Sequence, residues 1–456
     1  MTSVLLIYPF FKPVHDRSVF RFPPLGIAYI AASLKREGYV VQLLDCTFLQ
    51  KRIALKQALA AKAEMVGIYG MVTMSEDAIW FAQQLRQQTK LLVAGGPLLT
   101  CDPLPFLEVF DVVVTGEGEQ TVLQLLKVYR KGSDFSSVSG IVYQKTKPRI
   151  SGAQATIITT KPRPFIKDLD SIPFPERDLL PNKKYQEHCR KKSGYAITTV
   201  MSTRGCPFRC EFCSNVIFGG SYRERSAGNV VNEVEQVLGM GYDRISFADD
   251  VFTLNKKRVL QICDEVNKRN LKFKWECLGR VDSLDEATAF AMKKAGCFRI
   301  YFGIESGNQR ILNLMQKQIT IQQARKGVEI AHKAGMEVGA FFIIGYPGDT
   351  DDSILETLHF ATSLPLDYLG LSLPYPLPGT PLFERVKTRI RREWHPKENV
   401  FSSHSLIFDA GFSPIKLQFG IFKGKILHLL KKRLGKRSRL SSSFEESTDW
   451  VFRTLR

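Results

Sequence analysis

Three cysteines that stand close together, Cys206, Cys210 and Cys213, are the residues of this chain best suited to chemistry. Three thiolates in one loop can each bind a separate iron of a cubic 4Fe–4S cluster. The fourth iron then has no protein ligand, whereas an electron-transfer ferredoxin normally supplies four cysteines to its cluster. The spacing therefore predicts an iron–sulfur site with one iron open to a small molecule.

A zinc site, or three unrelated thiols, is the alternative interpretation of these cysteines. A structural zinc ion takes four Cys or His ligands, and no fourth Cys or His stands at motif spacing nearby. The other cysteines show no second cluster spacing, so we expect buried thiols there, and Cys277 lies beside the predicted site. They are Cys46, Cys101, Cys189, Cys263, Cys277 and Cys297.

The cysteine loop reads Arg-Gly-Cys-Pro-Phe-Arg-Cys-Glu-Phe-Cys over residues 204–213, with a tight turn expected at Gly205 and Pro207. This C-x₃-C-x₂-C pattern resembles the signature of the radical S-adenosylmethionine (SAM) superfamily. The resemblance implies that the open iron chelates the amino and carboxylate groups of SAM, and that one electron from the cluster yields a 5′-deoxyadenosyl radical. It also implies an electron donor such as flavodoxin or ferredoxin.

Residues 195–373 alternate six apolar strands with helices, which predicts a partial (β/α)6 TIM-type barrel with its chemistry at the carboxyl ends of the strands. Two carboxylates, Asp249 and Asp250, end the second of these strands. The resemblance implies that one of them lies near the methionine end of SAM. An aspartate after a strand also commonly caps a helix, so each retains this second interpretation.

Further residues at strand ends are expected to contact SAM, again by resemblance. Arg280 would pair with the SAM carboxylate through two hydrogen bonds, and Glu305 would hold the ribose. Ile343 and Gly345 would pass against the adenine. Their recurrence at successive strand ends favours one shared site over isolated helix caps.

Residues 1–140 alternate short apolar strands with helices, which predicts a doubly wound parallel sheet of Rossmann-like type. Ligands bind such sheets at the carboxyl ends of the strands. The order resembles the cobalamin-binding domain fused in front of radical SAM domains, with matching features at Pro23-Pro24-Leu25-Gly26, Asp45, Gly95-Gly96-Pro97 and Thr115-Gly116-Glu117-Gly118-Glu119. The resemblance implies that small residues admit cobalamin at Gly70, Thr73, Gly95, Gly96 and Gly116.

One feature of many cobalamin domains is absent. Their Asp-x-His-x-x-Gly motif after the first strand supplies a histidine ligand to cobalt, and this chain has only Val14-His15-Asp16-Arg17 there. The resemblance implies that members of the fused family often hold cobalamin without a protein imidazole. A flavodoxin-like domain that binds nothing, or only the substrate, is the alternative.

Length predicts several domains, because 456 residues are too many for one ordinary core. We expect a cobalamin-binding-like domain at 1–140, a Pro- and Lys-rich connector at 141–190, a radical SAM core at 191–385 and a basic, partly helical C-terminal region at 386–456. No apolar run is long enough to span a bilayer, and the amino terminus lacks the features of a signal peptide. An oxygen-sensitive cluster and free thiols indicate a reducing cytoplasm.

The C-terminal region is strongly basic. The whole chain has a formal net charge of +19, and residues 382–456 contain 17 Lys and Arg against 7 Asp and Glu. An amphipathic helix is predicted there, with an apolar face at Phe419, Phe422, Ile426, Leu429 and Leu430. Its flanks are basic, at Lys416, Lys423, Lys425, Lys431, Lys432 and Arg433. This helix can dock on the barrel or lie on an anionic membrane surface through residues 415–440; a contact with nucleic acid is the least favoured of the three interpretations.

The resemblance covers residues 1–385 and implies a cobalamin-dependent radical SAM enzyme. Methyl transfer to an unactivated carbon of a small-molecule or lipid-like substrate is the favoured reaction. A radical cyclisation, oxidation or rearrangement with the same architecture is the alternative. A non-catalytic cobalamin or redox sensor would need an output module that the sequence does not show.

Overall fold

The chain forms two units in the computed structural model, which describes residues 3–11, 21–145, 156–390, 406–435 and 438–455. The first unit contains the chain up to Thr199 and the segment Asn215–Glu224. The second contains Val200–Ser214 and most of the chain from Arg225 onward. The three cysteines of the loop therefore belong to the second unit.

A seven-stranded sheet forms the middle of the first unit, in the order β2-β1-β3-β4-β5-β6-β7. The first five strands pair in parallel, which confirms the predicted doubly wound sheet. The order reverses between β1 and β3, so the carboxyl ends of these two strands form the switch point at which such sheets bind ligands. The strands are β1 (Ser3–Tyr8), β2 (Val40–Asp45), β3 (Met65–Tyr69), β4 (Leu91–Gly95) and β5 (Val112–Val114).

Helices cover both faces of this sheet, because successive side chains of a strand point to opposite faces. On β1, Val4 and Leu6 pack in one core with helices α1 (Leu25–Arg36) and α5 (Gly118–Arg130). Leu5 and Ile7 pack in a second core with α2 (Lys51–Ala60), α3 (Ser75–Leu85) and α4 (Pro97–Cys101). The strand is therefore apolar throughout, as in a sheet buried on both sides.

Residues 141–190, expected as an extended connector, contribute ordered elements to the first unit. Strands β6 (Ile141–Gln144) and β7 (Ile157–Thr159) extend the sheet and pair antiparallel. Helix α6 (Asn182–Ser193) follows the proline-rich stretch and ends at Gly194, which has φ +81°. Because the high Lys and Pro content masked the short apolar strand Ile141–Gln144, composition alone did not predict this extension.

A six-stranded sheet contains the long strands of the second unit together with the strand Ile197–Val200, which ends where that unit begins. The six strands lie side by side in chain order, as in the predicted (β/α)6 barrel. Pairing is parallel from β11 through β15. The strands are β8 (Ile197–Val200), β11 (Arg244–Phe247), β12 (Lys274–Gly279), β13 (Cys297–Glu305), β14 (Glu337–Ile343) and β15 (Tyr368–Ser372). The two-residue strands β9 (Thr203–Arg204) and β10 (Arg223–Glu224) flank the cysteine loop in sequence.

Each helix of the barrel region begins at a polar residue whose side chain accepts a hydrogen bond from the backbone three residues later. The helices are α7 (Ala227–Gly239), α8 (Lys256–Lys268), α9 (Glu286–Lys294), α10 (Gln309–Leu314), α11 (Ile321–Lys333) and α12 (Asp351–Ser363). Their capping residues are Ser226, Asn255, Asp285, Asn308, Thr320 and Thr350.

The C-terminal region contains α13 (Pro381–Val386), α14 (Pro414–Leu434) and α15 (Arg439–Thr454). Helix α14 packs against α12, β15 and α15. The helix approaches β15 closely at Gly424, where a β-carbon would lie 2.5 Å from Leu371 Cδ1. In the structure, this helix is therefore docked on the barrel region, which is the first of the three interpretations.

The face of α14 that packs inward differs from the predicted one. Leu417, Ile421 and Leu427 are buried, whereas Phe422 is 56% and Leu429 48% exposed. Two lysines expected on the flanks are buried as well, because acidic partners reach them: Lys416 Nζ lies 2.6 Å from Asp351 Oδ2, and Lys423 Nζ lies 2.6 Å from Asp449 Oδ1. Among the described residues, no helix is both long enough and apolar enough to cross a membrane.

Candidate active site

The cysteine loop follows β9 and turns at Gly205, whose φ of +85° is in the left-handed region that favours glycine. Cys206 and Cys210 are half-buried, and Cys213 is exposed. Desolvation raises the pKa of the Cys206 thiol, and it raises that of Cys213 to about 12 with further contributions from Cys210, Asp250 and Cys206. The three thiols and Asp250 therefore share one electrostatic environment.

This donor set fits a cluster better than a single ion. Within the described residues, no three His, Cys, Asp or Glu side chains converge on one metal position. A cluster does not require such convergence, since each thiolate binds a different iron. Iron binding would also deprotonate the thiols that it engages.

Glu211 anchors the middle of the loop to the rest of the second unit. Its backbone N–H donates to the Met315 carbonyl at 2.9 Å, and its own carbonyl accepts from the Leu382 N–H at 3.0 Å. Its carboxylate accepts hydrogen bonds from the Tyr346 hydroxyl and from Arg385 Nη1, the latter at 3.1 Å. Burial, and then the bond to Glu211, raise the pKa of Tyr346, so the phenol remains a donor.

Arg280 follows β12 and lies against the cysteine loop. Its guanidinium carbon is 3.4 Å from the centroid of the Phe208 ring. Its Nε and Nη2 each donate to the Asp282 carboxylate at 3.0 Å. The arginine thus brings a buried positive charge to the face of an aromatic ring that stands between two cysteines.

Asp249 and Asp250 occupy different environments. Asp249 is buried, and its carboxylate accepts from the backbone N–H groups of Ser202 and Thr203 at 2.6 and 3.0 Å. It also accepts from the Ser202 hydroxyl. Asp249 therefore joins the end of β11 to the chain that leads into the cysteine loop, whereas Asp250 is exposed and its charge acts on Cys206 and Cys213.

Glu305 ends β13 with φ +78°, an uncommon backbone conformation for a residue with a side chain. Its Oε1 accepts from Lys317 Nζ at 3.0 Å. Ile343, at the end of β14, is buried. Gly345 has φ +79°, and a β-carbon there would lie 2.8 Å from Leu417 Cδ1 of α14. The space beside Gly345 is therefore occupied by the C-terminal helix.

In the first unit, two of the predicted glycines lie in direct contact with each other. The Gly70 N–H donates to the Gly95 carbonyl at 2.8 Å. Gly96 has φ +132°, and a β-carbon there would lie 2.3 Å from the Gly70 carbonyl oxygen. Gly116 is open, with nothing within 4 Å of a β-carbon, and Thr73 is half-buried. His15 lies outside the described residues.

The contact at Gly96 predicts a large effect of a single methyl group. We expect Gly96→Ala to destabilise the first unit by about 2 kcal/mol or more, through backbone strain and overpacking together. The matched control is Gly132→Ala, which also places alanine at positive φ (+64°) but meets nothing within 4 Å; strain alone should cost about 1 kcal/mol there. Thermal unfolding measures both, and equal losses would contradict the close-packing explanation.

Two tyrosines missed by the sequence analysis lie at the switch point. Tyr8 ends β1, Tyr69 ends β3, and their ring centroids are 5.3 Å apart. Burial raises the pKa of Tyr69 to about 12 and raises that of Tyr8 further. The sequence signal was available, since both are the last residues of apolar runs at adjacent strands.

A buried ion pair joins the segment after the cysteine loop to the Thr115–Glu119 motif of the first unit. Arg223 Nη1 lies 2.8 and 3.0 Å from the two carboxylate oxygens of Glu117, and both side chains are less than 10% exposed. Arg223 also donates to the carbonyls of Ile166 and Phe218. One face of this guanidinium lies over the Phe165 ring, with its central carbon 4.7 Å from the ring centroid.

Comparison with known proteins identifies a family match in each of the two units. The chain matches the family model of the radical SAM superfamily over residues 200–361 and that of the B12 binding domain over residues 12–126. It is 36% identical to an uncharacterized methyltransferase of Pyrococcus horikoshii, over 79% of this chain and 78% of that protein. It is 28% identical to the anaerobic magnesium-protoporphyrin IX monomethyl ester cyclase of Rubrivivax gelatinosus, over 85% and 70%.

Solved structures show the same fold. The radical SAM methyltransferase TsrM of Kitasatospora setae, with cobalamin and a 4Fe–4S cluster bound, matches with a TM-score of 0.71 at 19% identity, over 85% of this chain and 75% of that one. The cobalamin-dependent radical SAM enzyme OxsB matches with a TM-score of 0.76 at 18% identity, over 99% and 72%. The sequence relatives and the two domain matches together show that this chain belongs to the family of cobalamin-dependent radical SAM enzymes, which includes methyltransferases and a cyclase.

Proposed function

We propose that this protein transfers a methyl group to an unactivated carbon of a small-molecule or lipid-like substrate. The observation that carries the proposal is the presence, in one chain, of a three-cysteine loop on a radical SAM sheet and of a cobalamin-binding domain. When bound, the cluster, SAM and cobalamin supply hydrogen-atom abstraction and a transferable methyl group. The protein's own residues bind and orient these groups.

The residues that hold SAM are assigned by their environments. Asp250 is proposed for the amino group, because the Asp249 oxygens already accept hydrogen bonds from Ser202 and Thr203. Arg280 is proposed to neutralise the carboxylate as a fixed charge beside Phe208. Glu305 is proposed for the ribose: among the described residues its carboxylate is hydrogen-bonded only through Oε1, which leaves Oε2 for a hydroxyl.

Anaerobic reconstitution tests this function. The cluster is rebuilt, hydroxocobalamin, methyl-deuterated SAM and a strong reductant are added, and bound cobalamin and 5′-deoxyadenosine are measured. Retained cobalamin together with deoxyadenosine supports the proposal. Deoxyadenosine without retained cobalamin would contradict methyl transfer through cobalt, and the absence of both would contradict the radical chemistry itself.

Radical cyclisation is the second candidate, favoured by the 28% identity to the Rubrivivax gelatinosus cyclase. The two candidates differ in the fate of the label. A methyltransferase places the deuterated methyl group in the product, whereas a cyclase forms deoxyadenosine and leaves the product unlabelled. Mass spectrometry of products from small apolar substrates distinguishes them.

The working environment is proposed to be a reducing cytoplasm, with flavodoxin or ferredoxin as the electron donor. Cysteine thiols in place of disulfides among the described residues, and a cluster that oxygen would destroy, support this assignment. An anionic membrane surface is a further proposed partner. The support is the outward face of α14, where Ile415, Phe422 and Leu429 recur seven residues apart and are exposed beside Lys425 and Lys432.

Membrane contact predicts a specific loss. Replacing Phe422 and Leu429 together by aspartate should weaken binding to vesicles that contain phosphatidylglycerol by on the order of tenfold or more, because two apolar side chains no longer enter the bilayer interface. Phe290→Asp is the matched control, since Phe290 is 54% exposed on α9, away from the basic region. Sedimentation with vesicles measures binding; equal binding of all three proteins would contradict the contact.

A further inference from the structure

A buried lysine that no motif predicted lies beside the cysteine loop. Lys317 is 8% exposed, and its Nζ is 3.0 Å from Glu305 Oε1 and 5.7 Å from the centroid of the Phe212 ring. Phe212 stands between Cys210 and Cys213 in the loop, directly before Cys213. One ammonium group therefore lies beside both the ribose candidate and the ring of a loop residue that separates two of the cluster cysteines.

The backbone around Lys317 is held in an uncommon conformation. Its neighbours Gln316 and Gln318 have φ of +52° and +56°, which cost energy for residues with side chains. Arg280 Nη2 donates to the carbonyls of Lys317 and Gln318 at 3.2 and 3.4 Å. The side chain that lies against the loop through Phe208 thus also fixes the turn that carries Lys317.

Gly303 provides the space for the Lys317–Glu305 pair. A β-carbon at Gly303 would lie 2.4 Å from Glu305 Oε1 and 3.1 Å from Lys317 Nζ. The ion pair therefore occupies the space that a side chain at position 303 would need. Positive φ values at Glu305 and on both sides of Lys317, together with the space left by Gly303, therefore serve one ion pair.

We propose that Lys317 is a positioning residue of the radical SAM site, which orients the Glu305 carboxylate for the SAM ribose and supplies a fixed positive charge beside the cluster. This inference rests on the proposed function. Lys317 binds only one oxygen of the Glu305 carboxylate, Oε1, so the other oxygen, Oε2, is left to accept a hydrogen bond from a ribose hydroxyl. A cation near a cluster stabilises its reduced, more negative state and so raises its reduction potential.

Lys317→Met tests both roles. At a fixed applied potential we expect the ratio of reduced to oxidised cluster to fall about tenfold, a shift of about 59 mV to lower potential for a one-electron couple. We also expect the dissociation constant for SAM to rise about tenfold, because Glu305 loses its orientation. A redox titration followed by electron paramagnetic resonance and an equilibrium SAM-binding measurement give the two numbers, with iron content measured alongside.

Two further variants separate charge from position. Lys317→Arg keeps the charge and should restore the potential. Gly303→Ala keeps the charge but displaces the pair, so it should weaken SAM binding while the potential stays near that of the unmodified chain. Unchanged potential and SAM affinity in Lys317→Met would overturn the proposal, and should that variant fail to fold, unchanged SAM affinity in Gly303→Ala would overturn it. Failure of the unmodified chain to bind a cluster or SAM would instead contradict the proposed function.

Discussion

Replacing Cys210 by alanine is expected to abolish 5′-deoxyadenosine formation and to remove the visible absorbance of the reconstituted cluster. The reason is the ligand count: the loop offers three thiols, and a cluster held by two has lost one of the bonds that keep it in the protein. Iron content per chain and the deoxyadenosine yield, measured after anaerobic reconstitution, check the expectation. Either Cys206→Ala or Cys213→Ala should have the same effect.

The control for this prediction is Cys101→Ala, which removes a half-buried thiol on α4 of the first unit. Its iron content and deoxyadenosine yield should equal those of the unmodified chain. A Cys210→Ala variant that retained full iron and activity would contradict the assignment of the loop. Equal losses in Cys210→Ala and Cys101→Ala would indicate general damage and would also count against it.

Replacing Arg223 by methionine is expected to be the most destabilising single change in the first unit. It leaves the Glu117 carboxylate buried without its cation, and breaking a buried pair in this way typically costs about 3–5 kcal/mol. The carbonyls of Ile166 and Phe218 lose a donor at the same time. Hydrogen exchange of peptides from β4 and β5 should accelerate by on the order of a hundredfold or more.

Hydrogen exchange suits this test because it reports each unit separately, and peptides from β12 to β14 serve as an internal reference. The matched control is Lys127→Met, which removes the ion pair between Lys127 of α5 and Glu37, the residue that follows α1. That pair is exposed, with 58% of the lysine side chain in solvent, so exchange should not change. Similar acceleration in both variants, or none in Arg223→Met, would show that the buried pair contributes no special stability.

Local patterns predicted the sheets well. Strands β1 to β5 lie at the positions predicted from the sequence. They could be predicted because a strand buried on both faces of a sheet is a continuous apolar run, as β1 and β3 are. The cysteine loop was found for a similar reason, since its chemistry depends on residues only a few positions apart. The family and the fold class followed from these two signals and are confirmed by the comparisons.

Pairings between distant residues could not be predicted in this way. The resemblance implied that either Asp249 or Asp250 lies near SAM. Sequence spacing gave no sign that the Asp249 carboxylate accepts hydrogen bonds from Ser202 and Thr203, which precede it by more than forty positions. Lys317 lies in a turn with no motif, and only the fold brings it to Glu305. These contacts depend on tertiary packing, which sequence spacing does not encode. The site assignments that rest on them remain predictions.

The inward face of helix α14 also could not be predicted from the sequence. Its apolar residues recur on more than one face, so periodicity alone could not decide which face packs inward. Glycines at 420 and 424 decide it, because they allow the helix to approach β15 and α15 closely. The buried Lys423 is compatible with that face only because Asp449 of α15 supplies its counter-charge.

Glu211 fixes the middle of the cysteine loop through protein groups alone, namely the Met315 carbonyl, the Leu382 N–H, Tyr346 and Arg385. Ordering the backbone of one residue costs about 1–2 kcal/mol, and at Glu211 hydrogen bonds within the protein offset that cost. Less of the free energy of cluster binding is therefore needed to order the middle of the loop, and more of it remains to hold the iron.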